Sequence, residues 1–457
     1  MKTVNTSTLT FYGGAGMVTG SNFLLDDGSL KILIDCGFFQ GCDICDDKNY
    51  GPFAYNPKEI DFLFITHAHL DHIGRIPKLV REGFSGVIYS TPPTRDLAEL
   101  MLSDSIPLLE AEARRKGREP IYTAEDVKRA MVFWQTAPYH EAIALPNGFS
   151  VLFKDAGHIL GSAMIEFSRE GKKLVMTGDL GNSPAPLLRD TEPVTDADYL
   201  VMESVYGDRN HESRDVRQER LEDTIEWITR SKGTLIIPAF SIERTQEILF
   251  EIEQMVQNKK IHEIPVYVDS PLAIHVIDVY KRYDEYFNKD VIHIIRSGDE
   301  IFKFPKLYLT SSEDESREIA KVPGPKIIIA GSGMSYGGRI VEHEKQYLSD
   351  PNSVLLIVGY QAPGSAGRMI AEGAREVMIR GARVSVEARI VTISAYSAHK
   401  DLDNLLQFIN DTRDKVRKVF VAMGETKSAS FLSQRARDYL GVDAVVPREG
   451  DSFELEL

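Results

Sequence analysis

His67, His69, Asp71 and His72 place four side chains of metal-ligand type within six residues. Neutral imidazole and carboxylate are the groups that suit zinc. Residues i and i+2 in an extended turn can converge on one ion. Asp71 and His72 follow where the chain enters a helix, so they can serve a neighbouring position. A lone histidine is usually a satisfied structural residue, but four grouped ligands are hard to explain that way. Two further candidates stand at strand ends. His158 lies in Ala156-Gly157-His158-Ile159-Leu160-Gly161-Ser162, where glycines let backbone approach an ion closely. Asp179 lies in Thr177-Gly178-Asp179-Leu180-Gly181, just past an apolar run. A zinc pair bridged by a carboxylate needs one shared Asp and a shell of His and Asp on each side, with a water left to react. The chemistry such a set can do is metal-assisted hydrolysis.

The elements that must hold these residues are legible around them. Asp61 to Thr66 reads as a buried strand ending at the histidine run. Asn22 to Leu25 and Leu30 to Asp35 are strand-like and bounded by Gly, Asp or Asn. From about Thr91 to Ala137 the apolar spacing turns helical. Strand signals return at Ser150 to Phe153, Ala163 to Phe167, Lys173 to Thr177 and Tyr199 to Glu203. Beyond Gly207 the texture changes. A charged helical stretch, Ser213 to Arg230, leads into strands Thr234 to Pro238, Val266 to Asp269, Lys326 to Ala330 and Val354 to Gly359, with helices between. That alternation predicts a parallel, doubly wound sheet. The earlier style then resumes with strands Ile390 to Ser394 and Lys418 to Met423 and helices Asp401 to Asn410 and Ser428 to Tyr439. The expectation is one domain in two parts, residues 1–207 and 386–457, interrupted by a second at 208–385.

The chain has 457 residues, 43% apolar and 26% charged, which describes a folded and not a disordered protein. Its polar start lacks the basic and apolar regions of a secretory signal. No apolar run approaches the roughly 20 residues of a membrane span. Only three cysteines occur, too few for a disulfide framework, so a reducing cytoplasm is expected. The net charge of −15 excludes a basic nucleic-acid coat, so a nucleic-acid substrate must be held by metal and a local groove.

The ordered series His-x-His-x-Asp-His, a later His and a later Asp resembles the metallo-β-lactamase superfamily. The likeness continues to one branch, the β-CASP nucleases. Glu203 in Met202-Glu203-Ser204, the run Pro238-Ala239-Phe240-Ser241-Ile242-Glu243-Arg244-Thr245-Gln246-Glu247, Asp269-Ser270-Pro271-Leu272-Ala273, Gly331-Ser332-Gly333-Met334 with Gly337-Gly338-Arg339, and His399 in Ser397-Ala398-His399 all resemble that branch's motifs. The resemblance implies a four-layer αββα domain with an inserted β-CASP α/β domain and an active site between them. It implies a first zinc held by His67, His69, His158 and Asp179. A second would be held by Asp71, His72 and bridging Asp179, with Asp71 also counted among the catalytic residues. It implies hydrolysis of RNA phosphodiesters by metal-activated water, endonucleolytic or 5′-exonucleolytic, with His399 as general acid oriented by Glu203. Ser332, Gly333 and Ser397 are implied phosphate contacts. A homodimer is an expectation of the family alone.

The series breaks at one point. RNA-cleaving members of the branch carry a histidine in a His-Gly-Glu setting that completes the second zinc. Here the stretch is Val421-Ala422-Met423-Gly424-Glu425, and Met423 takes that place. A thioether is a weak ligand for zinc. One zinc is therefore expected to be firmly bound and the second weak or absent. His211 is the one other histidine near a motif. DNA-processing members of the family also lack that histidine, which keeps DNA open as a substrate, while Ser397-Ala398-His399 and the Gly337-Gly338-Arg339 loop still resemble the RNA-acting branch and single-stranded RNA is the expected partner. A catalytically weakened RNA- or protein-binding homologue is the remaining alternative. Cys42-Asp43-Ile44-Cys45 reads as a loop, Phe38 and Phe39 as packing residues, and Gly13-Gly14-Ala15-Gly16 as a tight turn.

Overall fold

Every second residue of Ser7–Gly13 is buried, the signature of a strand with one face on a core. A computed structural model of the protein describes residues 5–41, 45–335, 337–359, 361 and 364–457. Cys42, half of the Cys-x-x-Cys pair, lies outside them. The described chain divides into two compact units, one of residues 1–185, 189–210 and 399–457, the other of 186–188 and 211–398.

The first unit holds two seven-stranded sheets. One runs in the order Ser452–Leu455, Ser7–Gly13, Asn22–Asp26, Lys31–Ile34, Phe62–Phe64, Val87–Ser90, Trp134–Thr136. Its last four strands are parallel. The other runs Ala444–Val445, Lys418–Val421, Tyr199–Met202, Lys172–Met176, Ala163–Arg169, Ser150–Asp155, Ile143–Ala144. Inward side chains of both sheets share one core, in which Phe11, Phe23, Ile34 and Phe64 meet Phe153, Phe167, Met176 and Phe420. A fully buried side chain of this size contributes about 1.5–3 kcal/mol of apolar burial. On the outer face of the second sheet, Met164, Val175, Leu200 and Val421 pack with Leu405 and Phe408 of helix Leu402–Thr412 and Leu432 of helix Thr426–Arg435. Helices Ile76–Arg81, Pro92–Asp104 and Ala124–Val132 accompany the first sheet. The result is the expected αββα arrangement.

The second unit is built on six parallel strands in the order Leu307–Leu309, Val266–Asp269, Lys326–Ala330, Thr234–Pro238, Val354–Ile357, Arg389–Thr392. This is the doubly wound sheet that strand-helix alternation predicts. One expectation is corrected. The strand at Arg389–Thr392 does not open the final part of the first unit. It pairs in parallel with Val354–Ile357, and Ile393 N–H continues the ladder to Ile357 O at 3.0 Å. The strand belongs to the second compact unit, which ends at residue 398, while the long second stretch of the first unit ends at residue 210. Among the described residues, no helix is long and apolar enough to cross a membrane.

Candidate metal centre

Strand Phe62–Phe64 delivers the chain to Thr66 and His67 at the edge of the sandwich. Asp35, at the end of strand Lys31–Ile34, ties this turn down. Its Oδ1 accepts from Thr66 N–H at 2.9 Å, and its Oδ2 accepts from the hydroxyls of Thr66 at 2.8 Å and Ser21 at 3.1 Å. The same Oδ2 lies 2.7 Å from His72 Nδ1. Asp35 is fully buried with φ of 56°, a conformation an ordinary side chain adopts only when surroundings enforce it. His69 caps a one-turn helix, Leu70–Ile73, that presents Asp71 and His72. Backbone clasps that turn: Ser21 N–H donates to Asp71 O at 2.9 Å and Cys36 N–H to His72 O at 2.8 Å. Gly37 lies so close that a Cβ there would sit 1.5 Å from Asp71 O.

His158 and Asp179 come from loops of the second sheet. The Ser162 hydroxyl accepts from His158 N–H at 3.0 Å. Gly178, with φ of 55°, rests on Thr66, where a Cβ would meet the Thr66 side chain at 2.6 Å. That contact seats Asp179 against the histidine turn. His399 is brought in by its backbone, which bridges to Gly181, while Lys400 N–H donates to Leu180 O at 2.9 Å.

Among the described residues, two groups of at least three ligand-type side chains converge: His67, His69, His158 and Asp179, and Asp179, Glu203 and His399. In the first group, His67 Nε2 is 3.0 Å from His69 Nδ1, and His158 Nε2 is 3.3 Å from the same atom. Asp179 Oδ2 is 3.4 Å from His67 Nε2 and 3.5 Å from His158 Nε2. Ligands about 2.0–2.1 Å from a tetrahedral zinc stand roughly 3.3 Å apart, so these spacings match a zinc shell. Burial, with repulsion from neighbouring imidazoles, holds His67 below and His69 and His158 well below the ordinary histidine value. That direction favours the neutral ring that metal ligation requires. Asp179 is driven well below the ordinary range: burial opposes its charge, but His72 and His67 overcome it.

The other half is looser. Among the described residues His72 Nε2 is buried without a hydrogen-bond partner, 3.5 Å from Asp179 Oδ1 and 3.9 Å from Asp71 Oδ2. Burial opposes charge on His72, and the carboxylates of Asp179 and Asp35 reverse this, raising it well above its ordinary value. Burial raises Asp71. A cation between these three side chains would satisfy the orphaned nitrogen. Met423 is 1% exposed and belongs to the core between the sheets. Its N–H donates to Gly14 O at 2.6 Å, and its sulfur takes the Ser21 hydroxyl at 3.9 Å. Yet its φ of 44° is left-handed, a strained setting for methionine.

His399 Nδ1 lies 3.1 Å from both oxygens of Glu203 and 4.0 Å from Asp179 Oδ2. Glu203 is fully buried and accepts Leu180 N–H at 2.6 Å. Burial opposes charge on His399, but Glu203 outweighs it and raises the ring to about 9.

Ser332, Gly333 and Ser397, with His211, belong to the second unit. Gly333 O accepts from Gln361 Nε2 at 2.8 Å, and Ser397 N–H donates to Ser394 O at 2.9 Å. Asp35 was not among the candidates read from sequence. The available signal was a carboxylate closing an apolar strand. Phe38 and Phe39 are 5% and 3% exposed, as packing residues should be.

Residues 15–239 match the family model of the metallo-β-lactamase superfamily, residues 245–370 that of the Beta-Casp domain, and residues 383–447 that of the Zn-dependent metallo-hydrolase RNA specificity domain. A protein named ribonuclease TTHA0252 from Thermus thermophilus is 38% identical over 399 residues, covering 87% of this chain and 89% of its own length. A protein named transcription termination factor FttA from Methanosarcina mazei is 30% identical, covering 95% of this chain and 69% of its own. An RNase J-like protein from Methanocaldococcus jannaschii is 31% identical, covering 97% and 98%. A crystal structure of a protein of unknown function from Enterococcus faecalis shares the fold at a TM-score of 0.55 and 12% identity, over 98% of this chain and all of that one.

Proposed function

The chain belongs to the β-CASP family of metallo-β-lactamase-superfamily hydrolases, and from that premise we propose that it is a zinc-dependent ribonuclease. The observation that carries the reading is the set of tetrahedral spacings among His67, His69, His158 and Asp179, beside the His399–Glu203 pair. The match to an RNA specificity model and the relatives with ribonuclease names support RNA as the substrate.

His67, His69, His158 and Asp179 would hold the first zinc, and Asp71, His72 and Asp179 a second. Zinc supplies Lewis acidity: it makes water acidic near neutral pH and offsets charge on phosphate oxygens. Asp35 acts at one remove, keeping His72 Nδ1 engaged so that Nε2 faces Asp179 and Asp71. His399 donates Nδ1–H to Glu203, so its other nitrogen is the one that can hand a proton to the leaving oxygen. Buried Glu203 holds the ring in that orientation and favours its charged form. Met423 would leave the second position one imidazole short, so the first zinc would be the firmly held one. The enzyme is taken to work in the cytoplasm.

The test is incubation of labelled single-stranded RNA and DNA with the chain and with His69→Ala. The reading expects metal-dependent RNA cleavage that His69→Ala abolishes. Cleavage of DNA alone, or of neither polymer, would overturn it.

A further inference from the structure

Phe240 is a large apolar residue left 37% exposed at the carboxyl end of the central strand Thr234–Pro238. Single exposed apolar side chains are ordinary on protein surfaces. Phe240 differs in how it is held. One side of its ring lies against two glycines of neighbouring strand-end loops. A Cβ on Gly333 would come within 2.8 Å of Phe240 Cδ2 and 2.9 Å of Cε2, and one on Gly359 would stand 3.6 Å from Cε2. No larger residue than glycine at 333 leaves the ring where it is.

The support is fixed from several directions. Gln361 Nε2 donates to Gly333 O at 2.8 Å and to Gly359 O at 3.4 Å, linking the two loops. Phe240 O accepts the Thr245 hydroxyl at 2.8 Å, Gln246 Nε2 reaches Ser241 O at 3.0 Å, and Ala239 N–H reaches Ala330 O at 3.0 Å. The hydroxyls of Ser241, next to Phe240 in sequence, and Ser270 lie 3.3 Å apart. Both face Gly331, where a Cβ would be 3.7 and 3.8 Å from them. A part-exposed aromatic side chain on a hydrogen-bonded backbone, with a hydroxyl next to it in sequence, sits where open parallel sheets take their ligands, beyond the carboxyl ends of the strands.

We propose that Phe240 is a stacking platform for one unpaired base of the RNA strand, with Ser241 and Ser270 offering hydroxyls to the same nucleotide. The inference rests on the ribonuclease reading and deepens it. Stacking on an aromatic side chain is tolerant of base identity and needs a single strand, because the base face must be free. Phe240 is thus a positioning residue that favours unpaired over duplex RNA.

The test uses the full chain carrying His399→Ala, so that bound RNA outlasts cleavage, with single-stranded RNA bearing 2-aminopurine at successive positions. Quenching at one position is expected, with Phe240→Ala abolishing it and weakening binding roughly five- to hundredfold. Phe240→Trp should keep both signals. Phe240→Leu, which fills the perch without a π face, should lose the quenching, and thermal unfolding of each variant controls for misfolding. Unchanged affinity and quenching in Phe240→Ala, or full retention by Phe240→Leu, would overturn the stacking role and leave the ring to a protein partner. Failure of the chain to bind any RNA would overturn the ribonuclease reading and this inference together.

Discussion

On one side of Asp179, three ring nitrogens and a carboxylate oxygen close a ring of neighbours 3.0–3.5 Å apart, from His69 to His67 to Asp179 to His158 and back. On the other side, His72 Nε2 finds Asp179 and Asp71 at 3.5 and 3.9 Å, and residue 423 sends a thioether into the core. The backbone around the two halves is equally specified. Asp35, Ser21, Cys36 and Gly37 clamp the Asp71–His72 turn as firmly as Gly178 and Ser162 seat Asp179 and His158. Met423 even keeps a left-handed φ. The contrast separates two things that usually travel together. The frame of a metal position is a property of backbone and buried hydrogen bonds. Its completeness is a property of single side chains, and one replacement can remove it without disturbing the frame.

The comparison can be broken from its strong side. His158→Ala should strip the first half of its metal and return RNA cleavage to near background, a loss of at least about 10⁴-fold. Elemental analysis beside an activity assay checks this. Retention of metal and activity would mean that the first half is not the working one. His399→Ala should lower kcat by about 10²–10⁴-fold while leaving metal content unchanged, because the ring contributes a proton and not a ligand bond. Loss of metal in that variant would instead count His399 as a ligand. Asp35→Asn weakens the charge partner of His72, and metal affinity of the second half should fall by about 10–100-fold with the first half untouched. A competition titration with a chelator resolves the two steps. The smallest effect is a gain. Met423→His should tighten the second position by roughly tenfold and raise bound metal towards two equivalents, with Met423→Leu as the control that changes nothing. Two chelator-resistant equivalents in the unsubstituted chain would erase the contrast between the halves.

The strong half was readable because its ligands cluster. His67 and His69 are two apart, and the strand before them has a plain apolar pattern. His158 and Asp179 were readable only in that company, since an Asp after a strand is more often a turn residue. Asp35 escaped notice for that reason: its role depends on Thr66, Ser21 and His72, and only folding brings His72 to Asp35. The inserted parallel sheet followed from the alternation of strands and helices, with Thr234–Pro238, Val266–Asp269 and Lys326–Ala330 at the expected residues. Its last strand did not. Arg389–Thr392 is short and carries no mark of its partner, so periodicity could not show that it pairs with Val354–Ile357. The fate of Met423 was half legible. Its type ruled out a strong ligand, but its place in the core and its strained φ needed the fold.

Asn210 and Asp403 exchange two hydrogen bonds, of 2.8 and 3.1 Å, Leu402 N–H donates to Arg209 O at 3.1 Å, and Tyr206 bridges to Asp401. The points where the chain leaves and rejoins the sandwich are thus buttoned together. To the sandwich, everything between them is one loop with its ends already closed. Each doubling of a loop's length costs only about 0.6 kcal/mol in closure entropy. The cassette carried there can grow, shrink or be exchanged at little thermodynamic expense to the metal centre, provided the button holds.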